Sequence, residues 1–326
     1  MPTVRDRVVQ TAVTILLSPI FEADFHKNSY AYRPKKRAQQ AIEVLKEGLW
    51  SGRTEVVDAD LSGYFDTIPH AGLMQLVKRR VSDGSILKLI KGWLRAEIVE
   101  EDPKTKKRKI TKNRSGTPQG GVISPLLANL YLDGLDKAVN GGKEMRAVMV
   151  RFADDCVILC RKGTGAEVYK RLKQWLERRG LKLNEEKTRI VDFHEEGFEF
   201  LGFRLIRRKG RSGVYYPHIS PSPESCKELR ETIRKETARS TFWKDPNEVI
   251  TRINQCVGGW SQYFHYGNSV KTFGKIQHYV ENRARRWLWN KYGRKHGLYT
   301  KAYNNEYLHN HYRLIKLPLY ATRKYS

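Results

Sequence analysis

Apolar positions along this chain switch repeatedly between two spacings. Over residues 8–21 and 38–49 they recur at steps of three and four, which predicts helices with one buried face. Residues 55–61, Glu-Val-Val-Asp-Ala-Asp-Leu, change to a two-residue period with Val56, Val57 and Leu61 as apolar content and predict a strand. Residues 72–95 return to a helical pattern. Ser124 then offers an N-cap and Pro125 a first helical position, opening a helix to about Val139. Residues 148–160 form two strand-forming runs around a tight polar pair, the pattern of a hairpin, and a helix over 164–179 ends at Gly180. Strand, helices, hairpin and helix in that order suit an antiparallel sheet backed by helices, an α+β unit.

Punctuation dominates at 207–225, where Arg207-Arg208-Lys209-Gly210-Arg211-Ser212-Gly213 is followed by Pro217, Pro221 and Pro223. A linker is expected there. Beyond it the pattern is helical, with one stripe at Val249, Ile250, Ile253, Val257, Trp260 and Phe264. A second stripe runs through Phe273, Ile276, Val280, Ala284 and Trp287. The expected organisation is therefore 1–206, a linker at 207–225, a helical unit at 226–300 and a basic tail at 301–326.

The candidate chemistry lies in acids. Asp154 and Asp155 sit at the tip of the predicted hairpin, and like charges at that range repel unless a cation neutralises them. Asp58 and Asp60 share a face of the predicted strand, and Asp60 falls at its end, before Ser62-Gly63 bends the chain. Three carboxylates from two distant segments can hold a pair of divalent ions for phosphoryl displacement. A solvated turn is the bland alternative for each piece alone. Order and company separate the two readings. The strand acids are followed by Gly116-Thr117-Pro118-Gln119-Gly120-Gly121-Val122-Ile123-Ser124-Pro125, then the Asp-Asp hairpin, then Gly180-Leu181-Lys182-Leu183-Asn184-Glu185-Glu186-Lys187-Thr188, then Phe200-Leu201-Gly202-Phe203.

With these motifs in this order, the chain resembles the reverse transcriptase/maturase proteins encoded by bacterial group II introns, from Pro2 to about Arg294. The motifs that carry the resemblance best are Phe-Ala-Asp-Asp at 152–155, Thr-Pro-Gln-Gly-Gly-Val-Ile-Ser-Pro at 117–125, and Asp60 through His70. The family most often has Tyr where this chain has Phe152. The resemblance implies an α+β right-hand polymerase: partial fingers and palm over 1–206, then an α-helical thumb, called maturase domain X, over 226–300. Gly259-Trp260-Ser261-Gln262-Tyr263-Phe264 matches that domain's signature. It implies RNA-directed DNA polymerase activity together with intron-RNA binding for splicing and mobility. A splicing cofactor with an inactive polymerase, or a reverse transcriptase recruited to antiviral defence, are the alternatives.

Carried over by position, the resemblance assigns Asp60, Asp154 and Asp155 as metal-binding catalytic acids holding two Mg²⁺, with Mn²⁺ as a substitute. It assigns Phe65 as the aromatic that excludes a ribonucleotide 2′-hydroxyl, with an apolar core residue as the alternative. Gln119 is assigned to the incoming nucleotide and Lys187 to its triphosphate, against a turn residue and a solvated lysine. Leu201, Gly202 and Phe203 are assigned to a primer grip, against an ordinary strand. Arg33, Lys107, Arg108, Arg283, Arg285 and Arg286 are the candidate RNA contacts, with Trp287 either stacking or packed in the core. The implied partners are intron RNA, an RNA template with its DNA primer, and deoxynucleotides; the oligomeric state stays open.

Charge agrees with a nucleic-acid partner. Lys and Arg number 61 against 35 acids, a formal net charge of +26. Residues 201–326 carry 25 basic and 8 acidic side chains, so most of the field belongs to the C-terminal third. No long apolar run supports a membrane anchor. Cys156, Cys160, Cys226 and Cys256 have no zinc spacing and predict buried thiols at 156 and 160; with no signal peptide legible, a cytoplasmic location is expected. Against the family pattern, the chain is expected to lack the first finger segment, leaving Arg5, Arg7 and Arg33-Pro34 as basic candidates there. It is also expected to lack an endonuclease unit, with His309-Asn310-His311 at the surface.

Overall fold

The structure, a computed structural model, describes residues 2–101, 108–118, 120–141, 147–292 and 302–318. The chain divides into two compact units, Met1–Glu196 and Gly197–Ser326.

In the first unit, a four-stranded antiparallel sheet is built from β1 (Glu55–Ala59), β4 (Val148–Phe152), β5 (Asp155–Cys160) and β6 (Arg189–Asp192), in the order β4-β5-β1-β6. Both faces are covered, which is why Val56 and Val57 are both fully buried. Val57, Met149 and Ile158 join one large core with apolar residues of α1 (Val4–Glu22), α4 (His70–Lys78), α6 (Ser124–Gly141) and α7 (Gly165–Arg178). On the other face Leu159, paired with Val56, meets α2 (Ala38–Trp50), where a Cβ on Gly48 would stand 2.5 Å from its Cδ1. Burial of this kind stabilises by roughly 25 cal/mol per Å² of apolar surface, and it holds the sheet ends that present the acids.

The helix expected over 72–95 is two helices, α4 and α5 (Gly84–Leu94). Asp83 interrupts it by capping α5, accepting from Ser85 N (2.8 Å) and Ile86 N (2.9 Å). A short helix α3 (Tyr64–Thr67) follows β1, and β2 (Ile98–Glu101) pairs with β3 (Arg108–Thr111). Ser124 does open α6, but its hydroxyl donates to the Pro118 carbonyl (2.8 Å).

In the second unit β7 (Phe198–Phe200), β8 (Phe203–Lys209) and β9 (Tyr215–Pro221) form an antiparallel sheet, followed by α8 (Pro223–Glu236), α9 (Pro246–Phe264), α10 (Val270–Tyr292) and the short α11 (Asn305–Asn310). The expected linker at 207–225 is thus the β8–β9 hairpin and the start of α8. Its prolines have structural places: Pro217 and Pro221 lie on the edge strand β9, and Pro223 opens α8 behind the Ser222 cap. Both predicted helical stripes are buried, apart from half-buried Trp260. Trp287 is core, 2 % exposed, with Nε1 donating to Thr241 Oγ1 (2.9 Å). His309 is not a surface residue: its Nε2 lies 3.0 Å from Glu281 Oε1 and its Nδ1 2.7 Å from the Leu314 carbonyl.

Candidate active site

Strand register brings the acids together. In the β1–β5 pair Ala59 faces Cys156, so the next step along the ladder sets Asp60 beside Asp155. The β4–β5 pair closes at Phe152 and Asp155, leaving Ala153 and Asp154 as the turn. Ala153 has φ +60°, a left-handed conformation that costs a residue with a Cβ of order 1 kcal/mol. Arg151 stabilises it by donating to the Ala153 carbonyl (2.8 Å). Asp60 is fixed from the other side. Its N–H donates to Thr188 Oγ1 (3.3 Å), and its carbonyl accepts from Asn184 N (2.8 Å). That turn delivers Lys187, whose Nζ is 3.8 Å from Asp60 Oδ2.

The electrostatics record the crowding. Desolvation at the end of the packed strands, then the charges of Asp154, Asp60 and Asp58, push the Asp155 carboxyl up to about 6, with Lys187 opposing. Desolvation also raises Asp58, against the hydrogen bond and charge of Arg189, whose Nε is 3.2 Å from Asp58 Oδ2. Carboxylates at one sheet end are hard oxygen donors suited to Mg²⁺, and a divalent cation would relieve the repulsion that raises Asp155. Among the described residues no three His, Cys, Asp or Glu side chains already form a metal cage. Ligation by Asp60, Asp154 and Asp155 therefore requires their side chains to turn toward a common point.

Phe65 lies one turn of chain beyond Asp60, half-buried against the core and edge-on to Tyr64 at 5.5 Å. The glycine-rich segment is clamped against it: Thr117 N donates to the Phe65 carbonyl (2.7 Å) and Gly116 N to Ile68 (2.8 Å). A side chain on Gly116 would meet the Phe65 carbonyl at 2.6 Å, and its φ is +83°, so glycine is required there. His70 Nε2 is 2.7 Å from the Gly116 carbonyl. Gln119 and Lys107 lie outside the described residues.

Several expected contact residues have other partners. Arg33, with a side chain 4 % exposed, binds both Glu22 carboxylate oxygens and the carbonyls of His26 (2.6 Å) and Ser29 (2.7 Å). It clamps a loop and is not an RNA contact. Arg283 donates to Thr237 Oγ1 (2.7 Å) and the Thr237 carbonyl (3.0 Å), closing the end of α8. Arg285 is buried, donating to the Tyr303 carbonyl (2.7 Å), Asn282 Oδ1 and Asn305 Oδ1. Arg108 and Arg286 are exposed. Leu201 and Gly202, at φ +52° and +74°, form the β7–β8 turn. Phe203 after it is fully buried against Phe264 (4.9 Å) and Tyr263 (5.6 Å), so its ring belongs to the core and cannot touch a primer.

Two positioning residues escaped the sequence reading. Arg151 is 1 % exposed and forms a bidentate pair with Asp136, with further bonds to Asn129 Oδ1 and Ser29 Oγ. Its signal was a charge inside an otherwise apolar strand run. Buried Gln10 accepts from Val122 N (2.8 Å) and holds the glycine-rich segment from α1.

Residues 1–205 match the family described as reverse transcriptase (RNA-dependent DNA polymerase). The chain belongs to the reverse transcriptase family. Residues 226–307 match the group II intron maturase-specific domain. Protein YkfC of Escherichia coli (strain K12) is 34 % identical over 254 residues, 65 % of this chain and 64 % of YkfC. Group II intron-encoded protein LtrA of Lactococcus lactis subsp. cremoris is 37 % identical over 139 residues, 43 % of this chain and 22 % of LtrA. The chain thus spans less than two thirds of either relative. An apo telomerase structure from Candida tropicalis shares the fold at a TM-score of 0.51 and 12 % identity, covering 86 % of this chain and 53 % of that one. Among the described residues no helix is long and apolar enough to cross a membrane.

Proposed function

We propose that the chain is an RNA-directed DNA polymerase of a group II intron, which extends a DNA primer on an RNA template and binds intron RNA in the cytoplasm. The observation that carries this reading is the meeting of Asp60 with Asp154 and Asp155 at one sheet end, in a chain of the reverse transcriptase family. Asp60, Asp154 and Asp155 would hold two Mg²⁺. Bound there, the ions would lower the pKa of the primer 3′-hydroxyl and neutralise the leaving pyrophosphate. The chain's own groups do the rest. Phe65 excludes a sugar bearing a 2′-hydroxyl, Gln119 faces the incoming nucleotide, and Lys187 holds a proton for the departing pyrophosphate. Arg151 keeps the acidic turn in its left-handed shape.

Primer extension on a defined RNA template with Mg²⁺ tests the reading. Wild type should extend at least about a thousandfold faster than Asp154→Ala, since several kcal/mol of charge stabilisation is lost and each 1.36 kcal/mol is tenfold. Equal rates would end the polymerase assignment. The match of residues 226–307 to a maturase-specific domain favours a second role in splicing. Asp154→Ala should leave intron splicing intact if RNA folding is a separate task.

A further inference from the structure

Two clefts in the first unit contain none of the acids. One, of about 730 Å³, is lined by Thr67, Pro69 and His70 together with Arg95, Lys112 and Arg114. The other, of about 460 Å³, is lined by Pro69, Gly72 and Gln75 with Arg79, Arg178 and Arg179. Pro69 lines both, so the two lie on either side of the start of α4. Among the described residues six cations line the two clefts, and Glu97 is the one acid with them.

Several cations elsewhere in the unit pair with acids: Arg33 with Glu22, Arg80 with Asp24, Lys137 with Asp133, Lys173 with Glu185. Arg79, Arg95, Lys112, Arg114 and Arg178 have exposed side chains and no ion-pair partner among the described residues. Arg179 stacks on Trp175, with its Cζ 4.9 Å from the ring centroid, which leaves the guanidinium edge available. The groove walls are tied in place. Asn113 Nδ2 donates to the Leu94 carbonyl (2.9 Å), Ser115 Oγ to Asp66 (3.0 Å), and Tyr131 Oη to Arg179 (2.6 Å). Gly180, at φ +72°, lies so close to Pro69 that an added Cβ would stand 2.9 Å from its ring. Cations without acid partners gathered on a concave surface repel one another, and an anion with repeated charges removes that cost.

We infer that this groove binds the phosphodiester backbone of a nucleic-acid strand, at a site separate from the acids that would handle the primer end. Six cations distributed over two clefts that share Pro69 suit a polyanion rather than a single phosphate. Arginine supplies planar donors that match phosphate oxygens, while Pro69 and Gly72 leave the floor low. The site goes beyond the polymerase reading, because neither Asp60, Asp154 nor Asp155 takes part.

The test uses the full chain and a short fluorescent single-stranded RNA, with anisotropy measured over a series of salt concentrations. Arg79→Glu with Arg178→Glu, and separately Arg95→Glu with Arg114→Glu, should each weaken binding at least tenfold. Each pair should also flatten the salt dependence by about 1.4, near 0.7 per lost single-strand phosphate contact. A control pair with the same charge change on exposed lysines outside the groove, Lys88→Glu with Lys170→Glu, should stay within about threefold of wild type, as expected of screened surface charge. Circular dichroism establishes that each variant is folded. Parallel titrations with DNA of the same sequence assign the groove: a larger loss for one polymer names it, and equal loss assigns the shared phosphodiester. Binding unchanged in both groove pairs, or equally weakened in the control, would overturn the inference. The groove is read by RNA binding alone, so a failed polymerase assay leaves the groove result intact.

Discussion

Arg151 and Asp136 form a buried bidentate pair, each side chain 1 % exposed, with Nε to Oδ1 at 2.9 Å and Nη2 to Oδ2 at 2.6 Å. The pair joins β4 to α6 directly behind the acidic turn, and Arg151 also carries the Ala153 carbonyl. Removing one partner leaves a charge uncompensated in the core. Arg151→Met should therefore cost about 3–5 kcal/mol of stability in urea unfolding. Pairing it with Asp136→Leu should recover most of that loss, because two apolar residues leave nothing unpaired. A double variant no more stable than the single one would mean that Arg151 acts through its other bonds, to Asn129 and Ser29.

Phe65 is half-buried against the core, and the Thr117 N–H donates to its carbonyl. Phe65→Ala should raise ribonucleotide incorporation relative to deoxynucleotide by about tenfold or more, the order of discrimination that a shape change in a pocket supplies. Single-nucleotide extension with each substrate measures the ratio. An unchanged ratio with lowered stability would place Phe65 in the core role alone.

The acids were legible because strand period and hairpin signature act locally. Two-residue alternation fixes the face of Asp60, and the strand-forming runs around Asp154 fix the turn. Arg33 and Arg285 were misread because a basic residue carries no local mark of whether it meets solvent or a partner. Arg33 finds Glu22 eleven residues away and Arg285 finds Tyr303 eighteen away, through packing that no short window contains. The prolines of 207–225 had the same ambiguity, since proline serves an edge strand and a helix start as readily as a linker. Phe203 looked like a contact residue within its motif, yet the aromatic stripe of α9 closes over it.

His218 on β9 gives a pH test of the second unit. Desolvation, then the charge of Arg208, pushes its pKa down to about 4 from the ordinary 6.5. A base with a depressed folded value favours the fold when neutral. Its contribution is fully present above about pH 6.5 and is lost as pH falls toward 4. The melting temperature of wild type should drop over that window, and His218→Gln should make the drop shallower. Parallel profiles for the two proteins would assign the acid sensitivity to other groups.

Arg285 and Arg286 are neighbours on α10 with opposite environments, so the same substitution should have separable effects. Arg285 is 8 % exposed and bonds three groups, including the Tyr303 carbonyl that ties the segment after α10 to the helix. Arg285→Ala should cost about 3 kcal/mol, the order expected when the hydrogen bonds of a buried charged group are lost. Arg286 is exposed and lines a cleft with Arg234, Lys235 and Arg239. Its alanine variant should change stability by less than about 0.5 kcal/mol and reduce the salt dependence of RNA binding by about 0.7 to 0.9, one phosphate contact. Urea unfolding and salt titration on both variants decide it. If Arg285→Ala lost RNA binding at full stability, the buried bonds would not be its main role, and the division between structural and contacting arginines on this helix would fail.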